Sequence, residues 1–171
     1  RALSSAASDV YKRQNQGAGA TFLKNTLTRI SRSLGYSYDE TQAMIARSFM
    51  ISADNGHALH PNHGEYADPV NAPRLNEGIV IKFNAQQKYA TDGFSAAFFR
   101  DLCRRAKVPT QTFTNRSDIP GGSTLGNISN TKVSMPTVDI GLPQLAMHSS
   151  YETAGTKDTA YLVTACTAFF E

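Results

Sequence analysis

The sequence has little of several features that would each indicate a particular class of protein. Its 171 residues contain only two cysteines, Cys103 and Cys166, both at apolar positions of helical patterns. Buried free thiols in a reducing cytoplasm therefore fit better than a disulfide. No apolar run approaches the roughly 20 residues that span a bilayer, and no signal-peptide pattern opens the chain. We expect a cytoplasmic protein without a membrane partner.

An excess of positive charge is also missing once the first residues are set aside. The net charge of +3 includes +2 from residues 1–14, which leaves 14 basic and 13 acidic side chains in the rest of the chain. That balance excludes the basic footprint of a protein that binds nucleic acid. A hydrophobic fraction of 40% and a charged fraction of 18% indicate an ordinary globular protein. The length suits one domain or a large piece of one.

Residues 1–14, RALSSAASDVYKRQ, contain no initiating methionine and show no helical or strand period. They resemble a translated sequencing adapter, and we interpret them as a disordered artefact that is excluded from the fold. A genuine disordered terminus is the alternative. On the artefact interpretation, the natural protein is longer, and residues 15–171 are the carboxyl-terminal part of its domain.

Helical and strand patterns alternate along the rest of the chain. Apolar residues at helical spacing predict a helix that ends near Gly35, and Ser37 and Glu40 form a capping box for the next helix. Two more helices are predicted, over TDGFSAAFFRDLCRRAKV and at the carboxyl end. The predicted strands are SFMISA, GIVIKFN, TQTFTN and PTVDIG. This alternation predicts an α/β fold with a mostly parallel sheet.

Two residues that can bind metal follow predicted strands. Asp54 comes directly after SFMISA, and His148 lies in the loop LPQLAMHSS after PTVDIG. Ligands of open α/β sheets bind outside the carboxyl ends of the strands, so both residues are expected at one rim. Carboxylate and imidazole are zinc ligands. Helix capping by Asp54 and a hydrogen-bonded loop role for His148 are the structural alternatives.

Three histidines, His57, His60 and His63, repeat at every third position. Pro61 disfavours helical backbone at His60, so a histidine row on one helix face is not expected. Separate roles fit better: contact with a substrate, a hydrogen bond to a metal ligand, or plain exposure. We expect His63 to be incidental.

Further polar residues lie near the second predicted strand. Alternation places Val80 and Lys82 on one face, and a lysine near the end of a buried strand either reaches water or receives an anion. Tyr89 offers a hydroxyl to the same pocket or packs there. The segment PGGSTLG lacks the ending of a phosphate loop, so its amides hold a carbonyl or carboxylate group or form a structural turn.

Four motifs together resemble the aspartyl aminopeptidase family of di-zinc metallopeptidases. They are SADNGHALHPN, GIVIKFNAQQKYATDG, FTNRSDIPGGSTLG and TVDIGLPQLAMHSS, in the family's order and spacing, and the resemblance covers nearly everything from Gln16 onward. It implies a three-layer α/β/α sandwich that is incomplete in this chain. It also implies peptide substrates with an amino-terminal Asp or Glu, and a homo-oligomer, a dodecamer in the family.

The resemblance assigns roles to individual residues. Asp54 and His148 match zinc ligands, one for each of two zinc ions. His57, Lys82 and Tyr89 match residues that contact substrate, and His60 lies in the same motif. The catalytic glutamate base and the other ligands lie upstream in the family, in part within an adjacent glutamate pair, and no such pair occurs here. The chain alone is therefore expected to be inactive. A non-catalytic assembly or cargo protein on the same scaffold is the alternative.

Overall fold

The structure is a computed structural model that describes residues 17–171. The interpretation of residues 1–14 as an artefact lies outside the described residues. The helices are α1 (Phe22–Ser33), α2 (Tyr38–Ala46), α3 (Gly93–Arg105), α4 (Leu125–Asn130) and α5 (Thr156–Phe170). The strands are β1 (Met50–Ala53), β2 (Gly56–His57), β3 (Ile79–Phe83), β4 (Thr110–Thr114), β5 (Thr137–Gly141), β6 (Pro143–Leu145) and β7 (Thr153–Ala154).

The strands form two sheets. The main sheet has the order β1-β5-β3-β4, with β1–β5 and β3–β4 parallel and β5–β3 antiparallel. The small sheet has the order β2-β6-β7, in which β2–β6 is parallel and β6–β7 antiparallel. Parallel pairs connected through helices confirm the predicted α/β class. The antiparallel junction makes β3 run opposite to β5.

Helices cover both faces of the main sheet. On one face, alternate residues of β3 and β5 pack with α3 and α5 into the main core. The largest fully buried side chains of this core are Ile79, Ile81, Phe99, Val138 and Ile140. On the other face lies α4: a Cβ at Gly126 would lie 2.5 Å from Asp139 Oδ1 and 2.8 Å from Ser52 Cβ. The three-layer arrangement is therefore confirmed, and the second face carries the polar residues.

The first helix ends and the second begins where the sequence predicted, but both helices bury little surface. Gly35 has a φ of +82°, which suits glycine after the end of α1. The Ser37–Glu40 capping box begins α2, as predicted. Of the apolar residues in and beside α1, Phe22 and Leu34 are about two-thirds exposed. No helix among the described residues combines the length and apolar character of a bilayer crossing.

Two short elements lie where the sequence indicated only loops. Strand β6 occupies part of LPQLAMHSS, and α4 begins within the glycine-rich region after Thr124. Both are too short to show a hydrophobic period, and pairing with β2 and packing on the main sheet stabilise them. The long predicted loop before β3 is present, with a 3₁₀ turn at Gly64–Tyr66.

Candidate active site

A cavity of about 500 Å³ lies between the end of β1, the buried polar face of β3, the long loop before β3 and the loop after β6. We call it the main cavity. Every residue that the sequence analysis assigned to the site lines it, and these are Asp54, His57, His60, Lys82, Tyr89 and His148. The loop PGGSTLG contributes Pro120 and the stretch 122–124 to the same wall.

Asp54 enters the main cavity directly after β1. Its backbone N–H donates to the carbonyl of Ile140 at 3.0 Å, which continues the pairing of β1 with β5. The turn after Asp54 then delivers the backbone into the small sheet, where Gly56 N–H donates to Leu142 at 2.9 Å. The side chain is half-buried at the cavity wall. Asp54 caps none of the helices that the structure describes, so that alternative from the sequence does not apply.

Lys82 lies below this turn and is only 2% exposed. Its ammonium donates to the carbonyl of Asp54 and, at 2.9 Å, to the carbonyl of Asn55. The Lys82 stem also fills the space that a Cβ at Gly56 would enter, 3.2 Å from Lys82 Cε. A buried ammonium needs such acceptors because loss of hydration is costly. Lys82 therefore holds the turn that carries Asp54 and also lines the main cavity.

His57 belongs to β2 and pairs in register with Gln144 of β6. This pairing brings His57 to the loop that carries His148. Loss of hydration lowers the pKa of His57, and the electrostatic influence of Lys82 and then of His148 lowers it further. At neutral pH the imidazole is therefore uncharged and keeps one nitrogen to donate and one to accept a hydrogen bond.

His148 lies in a loop with unusual backbone geometry. Ala146 and His148 have φ values of +54° and +66°, a region that residues other than glycine seldom adopt. The backbone N–H of His148 donates to Glu152 Oε1 at 2.7 Å, which stabilises the exposed loop. Backbone strain of this kind concentrates at functional sites, where surrounding contacts maintain it.

The other two histidines lie on the long loop before β3. The rings of His60 and His63 are 5.1 Å apart, and His63 Nδ1 lies 3.0 Å from Glu65 Oε1. The backbone here is irregular rather than helical, as Pro61 predicted. Arg116 donates to the carbonyl of Glu65, so this loop is connected to the segment that follows β4.

Tyr89 forms part of the inner wall of the main cavity. Its hydroxyl donates to Asn115 Oδ1 at 3.3 Å, and Lys82 Nζ lies 5.7 Å from the centre of its ring. Burial raises the pKa of Tyr89, and the negative charges of Asp139 and Asp54 raise it further, against the lowering effect of the Asn115 hydrogen bond. The phenol is therefore a hydrogen-bond donor throughout the physiological pH range.

Zinc chemistry suits the donors at Asp54 and His148, since a carboxylate oxygen and an imidazole nitrogen are ordinary zinc ligands. Within residues 17–171, however, no group of three or more His, Cys, Asp or Glu side chains is placed to hold a metal ion. A catalytic zinc takes three protein ligands and keeps one open position. The described residues therefore fit part of a zinc site.

Sequence reasoning missed Asn115, which accepts a hydrogen bond from Tyr89, and Asp139, which raises the pKa of Tyr89. Asn115 follows β4, which is parallel to β3 and therefore runs opposite to β1. The rule about strand ends would have placed it at the other rim, so no local signal indicated Asn115. Asp139 is a charged residue inside a strand that is buried along its whole length. That mismatch between charge and pattern was its signal.

Several known proteins are similar to this chain. The "Probable M18 family aminopeptidase 2" of Clostridium acetobutylicum is 50% identical over 147 residues, which cover 86% of this chain and 34% of that protein. The structure titled "Cryo-EM structure of the Ape4 and Nbr1 complex" matches with a TM-score of 0.91 and 39% identity, over 95% of this chain and 31% of that one. The S. cerevisiae mApe1 dodecamer matches with a TM-score of 0.81 and 27% identity, over 95% and 35%.

The chain thus spans about a third of the length of the curated relatives it matches. Residues 9–170 match the sequence profile described as "Aminopeptidase I zinc metalloprotease (M18)". On the strength of this match and of the identity to curated relatives, the chain belongs to the M18 family of aminopeptidase I zinc metalloproteases.

Proposed function

We propose that this chain is the carboxyl-terminal part of the catalytic domain of a cytoplasmic zinc aminopeptidase, which releases amino-terminal residues from peptides. The observation that supports the proposal is the convergence of Asp54, His148 and the uncharged donors His57 and Tyr89 on one cavity. Membership of the M18 family supports the same reaction class.

In this proposal Asp54 and His148 each bind one of two zinc ions, and residues outside 17–171 complete both sites. Zinc, when bound, polarises the scissile carbonyl and lowers the pKa of a bound water. The Lys82 ammonium holds the backbone turn at Asp54, so the carboxylate is oriented before metal binds. The strained loop at His148 is held in the same way by Glu152.

The remaining residues bind the peptide. Tyr89 has a protonated hydroxyl and His57 an uncharged ring, so both can donate to substrate oxygens as negative charge develops there. His60 lines the outer part of the same cavity. The positive charge of Lys82 favours a substrate carboxylate, so we propose a preference for amino-terminal Asp or Glu.

We also propose that the full-length protein is a homo-oligomer, because one solved relative is described as a dodecamer. A non-catalytic assembly protein on this scaffold is the second candidate, but no observation on residues 17–171 favours it. The two differ in one feature: an intact glutamate pair upstream is required for the enzyme and dispensable for the assembly protein.

The test replaces the proposed ligands in the full-length protein. Asp54→Ala and His148→Ala are each expected to remove one zinc per subunit and to lower turnover by more than about 100-fold, since even partners of metal ligands cost 10–100-fold. Turnover is measured on Asp-, Glu- and Leu-p-nitroanilide, and the acidic substrates are expected to react faster. Zinc is counted by mass spectrometry.

Asp39→Ala is the matched control, because Asp39 is an exposed carboxylate in the first turn of α2. It should leave zinc content and turnover unchanged. An Asp54→Ala or His148→Ala protein with full zinc and full turnover would contradict the ligand assignment. Equal turnover of acidic and leucyl substrates would contradict the proposed preference alone.

A further inference from the structure

Asp139 is a fully buried carboxylate that has no role in the proposed reaction. It lies in β5, between β1 and β3, and none of its surface is exposed. Its side chain is on the polar face of the main sheet, against Gly126 of α4. A buried carboxylate is unfavourable unless hydrogen bonds or charges compensate for lost hydration. Its surroundings should therefore show what it stabilises.

Three hydrogen bonds join Asp139 to the segment that enters α3. Asp139 Oδ2 accepts from the backbone N–H of Ala90 at 2.5 Å. The backbone N–H of Asp139 donates to Thr91 Oγ1 at 2.8 Å, and the Thr91 hydroxyl lies 3.4 Å from the Asp139 carbonyl. Asp139 thus binds Ala90 through its side chain and Thr91 through its backbone. We call this set of bonds the Asp139 clamp.

The clamp acts on the far side of Tyr89 from the other bonds that hold this segment. In those bonds the Asn84 side chain accepts from the Gln86 and Lys88 amides, and the Lys88 carbonyl accepts from Thr124 N–H. Residues 84–92 contain no helix or strand, and Gln87 has a φ of +58°. Tyr89 comes directly before the clamped residues, and it is 6% exposed at the wall of the main cavity. The Tyr89 hydroxyl donates to Asn115 Oδ1 over 3.3 Å, a distance at which a hydrogen bond is weak.

The clamp uses an acidic side chain although an amide oxygen could also accept from Ala90. Within the described residues Asp139 Oδ1 has no hydrogen-bond partner, and the buried hydroxyl of neighbouring Ser52 has none either. There is no space for a Cβ at Gly126, so the backbone of α4 closes directly over the carboxylate. Burial is the largest cause that raises the pKa of Tyr89, and the electrostatic influence of Asp139 is the next; both favour the protonated phenol.

We propose that Asp139 is a positioning residue: its clamp on Ala90 and Thr91 fixes the Tyr89 hydroxyl at the wall of the main cavity. The use of that hydroxyl by a substrate rests on the proposed function. The clamp itself does not, since it can be measured in this chain without substrate or metal.

The test uses nuclear magnetic resonance on the 171-residue chain. Asp139→Ala should speed exchange of the Ala90 amide at least tenfold and remove the contacts between the rings of Tyr89 and Phe113, whose centres are 6.4 Å apart. Asp139→Asn keeps an oxygen that accepts from Ala90, so it should restore both signals. Unchanged Ala90 exchange in Asp139→Ala, or no recovery in Asp139→Asn, would overturn the proposal.

Asp158→Ala is the matched control. Asp158 is also fully buried and accepts from two backbone amides, Asn76 at 2.6 Å and Gly78 at 3.0 Å, but it does not line the main cavity. Asp158→Ala should leave the exchange of the Ala90 amide and the ring contacts of Tyr89 unchanged. Changes as large as those in Asp139→Ala would overturn the specific role of Asp139. Should Asp139→Ala fail to fold, Thr91→Val and Thr91→Ser replace it. Thr91→Val should lose the Ala90 protection and the Tyr89–Phe113 ring contacts, and Thr91→Ser should retain them.

In the full-length enzyme, Asp139 should affect turnover through its positioning of Tyr89. Asp139→Ala and Tyr89→Phe should each lower turnover, and the double variant should be no slower than the slower single variant, because coupled residues are not additive. Fully additive effects would overturn the role through Tyr89. Loss of the clamp signals with no change in turnover would instead contradict the proposed function.

Discussion

At the scale of single residues, position in the sheet decides which polar groups remain available for chemistry. Lys82 projects from β3 on the same face as Val80, into the layer that contains the main cavity. Its ammonium is already bound to two backbone carbonyls. Charge in the cavity and rigidity of the Asp54 turn therefore come from one side chain. A shorter or uncharged residue would remove both.

Cys103 shows the opposite case, a reactive group that the fold makes unreactive. It is fully buried in the main core, and burial, with a smaller contribution from Cys166, raises its pKa to about 12. Only the thiolate reacts with iodoacetamide. At pH 8 the thiolate fraction is about one in ten thousand, against about a quarter for an ordinary thiol. We predict that native Cys103 is alkylated more than about 1,000-fold slower than in urea.

The measurement uses Cys166→Ser, so that Cys103 is the only thiol. Labelling is followed by mass spectrometry of the native and urea-unfolded chain. The complementary variant, Cys103→Ala, reports on Cys166, which is partly exposed and should be labelled sooner. Rapid stoichiometric labelling of Cys103 in the native chain would show that this part of the core opens readily.

At the scale of elements, local sequence signals set the beginnings of the helices. Asp92 begins α3: its Oδ1 accepts from Ser95 N–H at 2.7 Å, and its own N–H donates to Ser95 Oγ at 2.9 Å. We predict that Asp92→Ala lowers the free energy of unfolding by about 1 kcal/mol at pH 7. Asp101→Ala on the exposed face of the same helix should change it much less, because the ion pairs of Asp101 are exposed to water.

The same cap has a defined pH dependence. The Ser95 backbone and side-chain hydrogen bonds lower the pKa of Asp92 below its ordinary value. A lowered folded-state pKa means that the stabilisation is fully present above the unfolded value of about 3.9 and is lost as pH falls through the folded value. The gap between wild type and Asp92→Ala in urea titrations should therefore shrink below about pH 4. A gap that is constant down to pH 2 would contradict the capping role.

Elements with a clear period or cap were predictable, and short ones were not. The capping box at Ser37 and the stop at Gly35 lie where the sequence placed them. Strand β6 was missed because three residues carry no period and are stabilised by pairing with β2. The direction of β3 against β5 is likewise a tertiary property that no local pattern encodes.

At the scale of the whole molecule, this direction also limits what could be predicted about the site. β1 and β5 are parallel, so the rule about strand ends correctly placed Asp54 at the rim that β5 approaches. β3 is antiparallel to β5, so its residues reach the cavity by another route: Lys82 through the length of its side chain, Tyr89 through the segment after β3. Only the motif resemblance joined those residues to Asp54.

The zinc site is incomplete within the part of the chain that the structure describes. No group of three or more metal-binding side chains is placed around a common point in residues 17–171, and the sequence holds no adjacent glutamate pair to supply a base. Two ligands on separate loops bind zinc weakly, and without a base the water proton has no acceptor. We therefore predict that the purified 171-residue chain retains less than one zinc after dialysis and releases no p-nitroaniline from Asp-p-nitroanilide. The full-length protein, assayed alongside, should retain zinc and release p-nitroaniline. Turnover by the 171-residue chain that Asp54→Ala abolishes would contradict the prediction, because it would show that the described residues suffice for catalysis.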